Sequence, residues 1–62
     1  MLYETVVRLA GEKGISISKL EEMADLGNGA IGKWRVFKPT LRSLEKVARV
    51  LEVPVSALLE GK

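Results

Sequence analysis

The chain has 62 residues, 47% of them hydrophobic, with one Trp, one Tyr and one Phe, so it forms one small domain with an aliphatic core. It contains no cysteine and no histidine, which excludes disulfides, thiolate and imidazole metal sites, and catalysis by either side chain. Because so short a chain has little room for a substrate pocket beside its core, we expect no enzyme activity, no metal and no cofactor.

Positive charge is concentrated in the middle of the chain, although the formal net charge is only +2. Residues 27–49 contain six Lys and Arg and one acidic residue, whereas residues 1–26 contain three basic and five acidic residues. This asymmetry is typical of a surface that binds a polyanion such as nucleic acid. Six cations in that range also fit an ordinary solvated surface, so charge alone leaves both interpretations open.

The first residues carry no targeting signal. They lack the basic region and the uninterrupted apolar region of a signal peptide, and no apolar run in the chain is long enough to span a bilayer. We therefore expect a soluble, cytoplasmic protein without a membrane partner.

The first predicted helix is amphipathic. Apolar residues recur at helical spacing from Leu2 to Ala10, with charged residues between them. Gly14 follows the last polar turn, where a glycine can adopt the left-handed conformation that satisfies the final carbonyls. We therefore expect Gly14 to close this helix.

The second predicted helix is short and begins at Ser16 or Ser18. Ser18 and Glu21 match a capping box, whereas Ser16 offers an N-cap preceded by an apolar residue. The glycine-rich residues 25–29 follow closely and predict a turn.

A third helix is predicted over Asn28–Val36. Its inner side is apolar and consists of Ala30, Ile31 and Trp34. Its outer side is small, polar and basic and consists of Asn28, Gly29, Gly32 and Lys33. Helical spacing assigns Trp34 to the core. The two glycines indicate either close approach of the backbone to phosphates or avoidance of a clash with the preceding helix.

Two further helices complete the predicted fold. Thr40 is placed to cap a fourth helix, whose apolar positions are Leu41, Leu44, Val47, Ala48 and Leu51. Pro54 opens a fifth helix, whose inward positions are Val55, Leu58 and Leu59. No strand pattern, repeat or linker is present. We predict an all-α fold, a compact bundle of five helices in one domain over residues 1–62.

The middle of the chain matches a helix-turn-helix, because two short helices are joined by a tight turn and the second has an outer face free of bulky apolar groups. A major groove about 12 Å wide admits such a helix, which presents its first turns to base edges. Asn28 can pair with adenine, and Lys33 can donate to guanine.

Three stretches resemble the Cro/repressor-type (XRE-like) helix-turn-helix family: GISISKLE at 14–21, LGNGAIGKW at 26–34 and KPTLRSL at 38–44. The resemblance covers nearly the whole chain and implies a lambda-repressor-like DNA-binding domain whose helices 2 and 3 form the helix-turn-helix. It implies base reading by Asn28, Gly29 and Lys33. The phosphate-binding residues expected from it and from the small and basic residues nearby are Ser16, Ser18, Gly27, Gly32, Lys38, Thr40 and Arg42.

Four positions depart from the family pattern; these are Ile17, Asp25, Gly27 and Arg35. Asp25 stands where a turn glycine is usual, and because Asp tolerates the left-handed region better than most residues, we expect that conformation with some strain. Arg35 stands where a glutamate is common. In an ion pair between this position and the first helix the charges would therefore be exchanged, with Arg35 contacting Glu4 or another acidic residue.

The sequence thus predicts a sequence-specific double-stranded DNA-binding transcriptional regulator, a repressor that binds an inverted-repeat operator. One reader of this size covers few base pairs, so we expect a homodimer on half-sites roughly 34 Å apart, with the third helix in the major groove. The last two helices hold more apolar surface than one core needs. The candidate dimer surface consists of Leu51, Val53, Val55, Leu58 and Leu59.

Two alternatives stay open. The same fold serves as a protein-interaction module, such as an antitoxin or an assembly factor, with DNA contact secondary or absent. The chain also fits the DNA-binding head of a longer protein whose dimerisation domain lies elsewhere.

Overall fold

The computed structural model of the chain describes residues 2–60. Within that range are four α-helices and one 3-10 helix: α1 (Leu2–Glu12), α2 (Ile17–Met23), the 3-10 helix (Ile31–Arg35), α3 (Leu41–Leu51) and α4 (Val55–Glu60). The same range contains no β-strand. Its overall dimensions are 24 × 23 × 17 Å. The prediction of a compact all-α fold is confirmed.

The largest difference from the predicted elements lies between α2 and α3. The sequence predicts a helix over Asn28–Val36, whereas the structure has a turn at residues 28–30 and a 3-10 helix at Ile31–Arg35. Gly29 has a φ of +84°, which does not fit a right-handed helix. The described part of the chain therefore has four α-helices where the sequence predicts five helices, and a short 3-10 helix takes the third place.

One core joins all five helical elements. Each element contributes one fully buried large side chain; these are Val6, Leu20, Ile31, Val47 and Leu58. Burial of each such side chain contributes roughly 1.5–3 kcal/mol. Trp34 is half-buried and packs against this core, as its spacing from Ile31 predicts. These two residues therefore anchor the 3-10 helix to the rest of the fold.

Three predicted helix ends are confirmed. Gly14 follows α1 with a φ of +75°, the left-handed conformation expected for it. Ser16 is the N-cap of α2, and its Oγ accepts a hydrogen bond from the Lys19 amide at 3.0 Å. Thr40 is the N-cap of α3, and its Oγ1 accepts from the Ser43 amide at 3.2 Å. Local capping chemistry thus sets where these helices begin and end.

An ion pair joins the end of α3 to the segment that follows α1. Lys13 Nζ lies 2.8 Å from Glu52 Oε1. The hydrogen bond from Lys13, together with its charge, lowers the pKa of Glu52 below its ordinary value of 4.5. Because this pKa is lower in the folded chain than in the unfolded chain, the pair stabilises the fold above that ordinary value. The contribution is lost as the pH falls through the lowered pKa of Glu52.

We expect Lys13→Ala to lower the urea midpoint of unfolding slightly at neutral pH and to leave it unchanged once Glu52 is protonated in both proteins. The effect is small because the pair is exposed to solvent. Lys13 is the residue to replace, since Glu52 has a φ of +60° and its substitution would also alter backbone strain. Circular dichroism across a pH series is the measurement, and Lys13→Arg is the charge-retaining control. A difference between Lys13→Ala and wild type that is equal at all pH values would contradict this role.

Candidate nucleic-acid interface

The three predicted base-reading residues are exposed and lie near one another in the chain. Asn28 and Gly29 belong to the turn at residues 28–30, and Lys33 is in the middle of the 3-10 helix. They form a turn followed by a short helix, not one face of a continuous α-helix. Asn28 is therefore presented by a turn, and Lys33 by a short helix.

Gly29 has a simpler explanation than either one the sequence suggests. Gly29 is required by the turn, because its φ of +84° is strained for a residue with a Cβ. An added Cβ at Gly29 or Gly32 would meet no atom within 4 Å. Avoidance of a clash with α2 therefore explains neither glycine, and the turn itself accounts for Gly29.

Asp25 lies just after the end of α2, where the chain leaves the helix. It has a φ of +59°, the left-handed conformation expected for it, and its amide donates to the Glu22 carbonyl at 3.1 Å. The Leu26 amide then donates to the Glu21 carbonyl at 2.8 Å. The left-handed residue thus lets two amides satisfy carbonyls at the end of α2.

Glu21 is a functional candidate that sequence reasoning considered only as the capping-box partner of Ser18, one of the two possible starts of α2. Its predicted capping box does not form, because Ser16 is the N-cap of α2 and Ser18 lies within the helix. Residue Glu21 is instead buried, with only 4% of its surface exposed, and its carboxylate holds the following turn. Its Oε1 accepts from the Gly29 amide and its Oε2 from the Ile31 amide, both at 3.0 Å.

No sequence rule indicated this role, because the start of the 3-10 helix at Ile31 is known only from the structure. A helix start normally takes a Ser, Thr, Asp or Asn cap, and the 3-10 helix has Ala30 at its N-cap with no side-chain hydrogen bond. A missing local cap indicates that its free amides must be satisfied from elsewhere in the chain. The carboxylate of Glu21 supplies acceptors for two amides of this segment, although it is eight and ten residues away.

A shallow hollow of about 480 Å³ lies between the 3-10 helix and α3. Its lining residues are Ala30, Lys33, Trp34, Phe37, Lys38, Pro39 and Thr40. The hollow brings two lysines to the N-terminus of α3, where the helix dipole and the first amides favour an anion. Three of the predicted DNA-contacting residues, Lys33, Lys38 and Thr40, therefore share one surface.

The other predicted phosphate-binding residues lie outside the lining of this hollow. Four of them are exposed: Ser16, Ser18, Gly27 and Arg42. Gly32 is half-buried in the 3-10 helix. Ser16 already uses its Oγ as the cap of α2, but its exposed position leaves the start of α2 accessible to an anion.

The cations of the two halves of the chain differ in how they are paired. All three cations of residues 1–26 form ion pairs: Arg8 with Glu12 at 3.1 Å, Lys13 with Glu52 at 2.8 Å and Lys19 with Glu22 at 3.5 Å. None of the six cations of residues 27–49 has an ion pair with a carboxylate of the described side chains: Arg35 contacts the Tyr3 ring, and the other five are Lys33, Lys38, Arg42, Lys46 and Arg49. The described carboxylates therefore do not pair with the excess positive charge of the central segment.

Arg35 contacts α1. Its guanidinium carbon lies 5.2 Å from the centroid of the Tyr3 ring, which is a cation–π distance. Its Nε also donates to the Gly32 carbonyl at 3.4 Å. Arg35 thus contacts the first helix through an aromatic ring, whereas the sequence predicts an ion pair with an acidic residue.

The predicted dimer surface needs correction. Leu51 and Leu58 are buried in the core, with exposed fractions of 3% and 0%, so they are not available to a second chain. Helical spacing predicted an inward orientation for both side chains, and the core of one copy is large enough to bury them. Val53 and Val55 are half-buried, whereas Leu59 is 60% exposed.

Leu59 borders an apolar groove of about 560 Å³. The groove is lined by Leu2, Trp34, Arg35, Val36, Phe37, Lys38, Pro39, Leu44 and Leu59. Two of these side chains are unusually accessible for their type, since Val36 is 79% and Phe37 is 68% exposed. Sequence reasoning missed this surface, because Val36 and Phe37 fall where the helical pattern breaks.

Comparison with models of known protein families, with curated proteins and with solved structures finds no match to this chain. In the part of the chain that the structure describes, no helix has the length and apolar character needed to cross a membrane. Among the same residues, no group of three or more acidic side chains is arranged to hold a metal ion.

Proposed function

We propose that this chain is a sequence-specific double-stranded DNA-binding transcriptional regulator, acting as a cytoplasmic repressor on an inverted-repeat operator. The observation that carries the proposal is the contrast between the paired cations of residues 1–26 and the six cations of residues 27–49, none of which has a described carboxylate partner. Neutralising those cations with phosphates releases condensed counterions, so affinity falls steeply with salt concentration.

The hollow beside α3 is the proposed phosphate site. Lys33 and Lys38 line it together with Thr40, the N-cap of an 11-residue helix. Lysine ammonium groups and helix N-termini both favour phosphate oxygens, and such contacts set the register of the protein on the duplex without reading its sequence.

Base reading is proposed for the exposed turn and the 3-10 helix. Five residues of 3-10 helix are about 10 Å long, and a major groove about 12 Å wide admits a helix with its side chains. The Asn28 amide matches the N6 and N7 edge of adenine, and Lys33 matches the O6 and N7 edge of guanine. So short a reader covers only a few base pairs, which is why two copies are needed for a specific site.

We propose a second copy of this chain as the occupant of the apolar groove. Leu59, the most exposed residue of the predicted dimer surface, lines the groove, and Arg35 and Lys38 line it as well. In a two-fold dimer each copy thus offers the exposed side chain of Leu59 to the apolar groove of its partner.

A protein-interaction module is the second candidate function. The observation that favours it is the exposure of Val36 and Phe37 at the groove, because large exposed apolar side chains on a small protein mark an interaction site. In that case a different protein occupies the groove in place of a second copy, and DNA contact is secondary.

Selection from a random duplex pool tests the proposal. The purified chain is incubated with the pool at moderate salt, and the retained duplexes are sequenced. We expect enrichment of an inverted repeat. Enrichment of a single half-site would contradict the dimer but still support sequence-specific DNA binding by one copy. A folded chain that enriches no sequence would contradict DNA recognition and favour the protein-interaction module.

Two single substitutions separate the proposed roles of the lysines. Because Lys33 is proposed to contact a base edge, we expect Lys33→Ala to reduce affinity and to relax preference at one position of the operator, by roughly 1–3 kcal/mol of discrimination. Lys38→Ala should weaken binding to all sequences alike and reduce the salt slope by about 1.

Fluorescence anisotropy with operator and scrambled duplexes at several salt concentrations measures both effects. Arg8→Ala is the matched control, since it removes one positive charge from an exposed pair on α1. Equal effects of all three substitutions would mean that only the net charge matters and would contradict the assigned roles.

A further inference from the structure

We propose that Glu21 is a positioning residue for DNA recognition: its buried carboxylate holds the turn that presents Asn28, so that sequence preference depends on it. This inference rests on the proposed function. Glu21 itself does not contact the DNA, because its side chain is buried within the fold with 4% exposed.

Three hydrogen bonds connect Glu21 to the segment that carries Asn28. Its backbone carbonyl accepts from the Leu26 amide at 2.8 Å. Its two carboxylate oxygens accept from the amides of Gly29 and Ile31, each at 3.0 Å. Asn28 therefore lies between anchored residues on both sides, and all of these anchors belong to one residue of α2.

The carboxylate matches these amides in a way that other side chains do not. The two amides belong to residues 29 and 31 and point to different oxygens of the same group. A carboxylate offers acceptors on both oxygens, whereas a glutamine side chain has one acceptor oxygen and a donor amide. An apolar residue would fill the same place without any acceptor and would leave two amides unsatisfied.

Local interactions in the turn are too few to replace this contact. The turn has a left-handed Gly29, and Ala30, the N-cap of the 3-10 helix, makes no side-chain hydrogen bond. The backbone bonds from the Ala30 amide to the Gly27 carbonyl and from the Lys33 amide to the Ala30 carbonyl each span only three residues. We therefore expect a turn without the Glu21 carboxylate to sample several conformations, each presenting Asn28 differently.

The test compares Glu21→Gln with Glu22→Gln. Both substitutions remove one negative charge from α2, so they have the same effect on general attraction to DNA. Glu22 is exposed and pairs only with Lys19 at 3.5 Å, which makes it the matched control. Affinities are measured for the operator found by selection and for a scrambled duplex of equal length.

We expect Glu21→Gln to lower the ratio of specific to non-specific affinity by about tenfold, because one of the two amides loses its acceptor. Glu22→Gln should leave this ratio unchanged. In the free proteins, amide hydrogen exchange at Gly29 or Ile31 should become faster in Glu21→Gln, while exchange in α1 and α3 stays as in the wild type. A merely structural role would instead raise exchange throughout the core and lower both affinities alike.

Two outcomes would overturn the inference, and they are distinguishable. A Glu21→Gln protein that retains the wild-type preference overturns the positioning role alone. A wild-type chain without any sequence preference overturns the proposed function and the positioning role together. If Glu21→Gln does not fold, Glu21→Asp serves in the same comparison. Its side chain retains the charge but is one methylene shorter, which moves both oxygens away from the two amides.

Discussion

Leu58→Ala is expected to lower the free energy of unfolding by about 2–5 kcal/mol, whereas Leu59→Ala should change it by less than about 0.5 kcal/mol. The two leucines are neighbours in α4, yet Leu58 is 0% and Leu59 is 60% exposed. Removing the Leu58 side chain leaves a cavity among residues of the core, whereas removing that of Leu59 changes an exposed surface. Chemical denaturation followed by circular dichroism measures both free energies.

The expected loss at Leu58 is large compared with the stability of so small a domain. A single core in a chain of this size rarely supplies more than about 3–5 kcal/mol. Leu58→Ala should therefore be largely unfolded at room temperature, while Leu59→Ala remains folded. Equal destabilisation by the two substitutions would contradict the orientation of α4.

Leu59→Ala also tests the proposed dimer. Because Leu59 lines the apolar groove, its truncation should weaken self-association without loss of helix content. Sedimentation equilibrium over a range of protein concentrations measures the dissociation constant. A dimer of unchanged strength would place the dimer contact elsewhere.

Gly29→Ala and Gly32→Ala are expected to change stability in opposite directions. Gly29 has a φ of +84°, and an L-residue in the left-handed region costs roughly 1–2 kcal/mol. Gly32 lies in the 3-10 helix with a negative φ, and a Cβ there would meet nothing within 4 Å. Replacing such a glycine with Ala stabilises by about 0.4–1 kcal/mol, because the unfolded chain loses freedom.

Thermal unfolding separates the two glycine substitutions. A change of about 1 kcal/mol shifts the midpoint by roughly 4–8 °C in a domain of this size. Gly29→Asn is a useful control, since Asn enters the left-handed region more readily than Ala and should be less destabilising. Two substitutions of equal effect would contradict the turn at residues 28–30 and would favour the continuous helix that the sequence predicts.

The sequence predicted α1, α3 and their ends well because the determinants are local. Apolar residues at helical spacing specify which face of α3 is buried, except for Leu41, which is 61% exposed, and Thr40 caps the first turn through the amide of Ser43. Gly14 similarly ends the segment after α1 by its own left-handed conformation. Each of these features depends on residues within about one turn of one another.

The candidate site was predicted only in part, for a physical reason. Asn28 and Lys33 were identified from their chemistry and from the family resemblance, and both are exposed. The backbone that carries them was predicted as an α-helix, because the apolar spacing of Ile31 and Trp34 fits either a 3-10 or an α-helical turn. The left-handed Gly29 interrupts that helix, and a spacing rule contains no information about φ.

The sequence by itself thus determined an all-helical chain, its local caps and the concentration of cations in residues 27–49. Only the tertiary structure decided the shape of the turn and the partner of each charge. Glu21 reaches amides eight and ten residues away, and Lys13 pairs with Glu52 across 39 residues. Such contacts form only when the packing of the core brings distant segments together, so periodicity and capping rules, which act over about one helical turn, do not predict them.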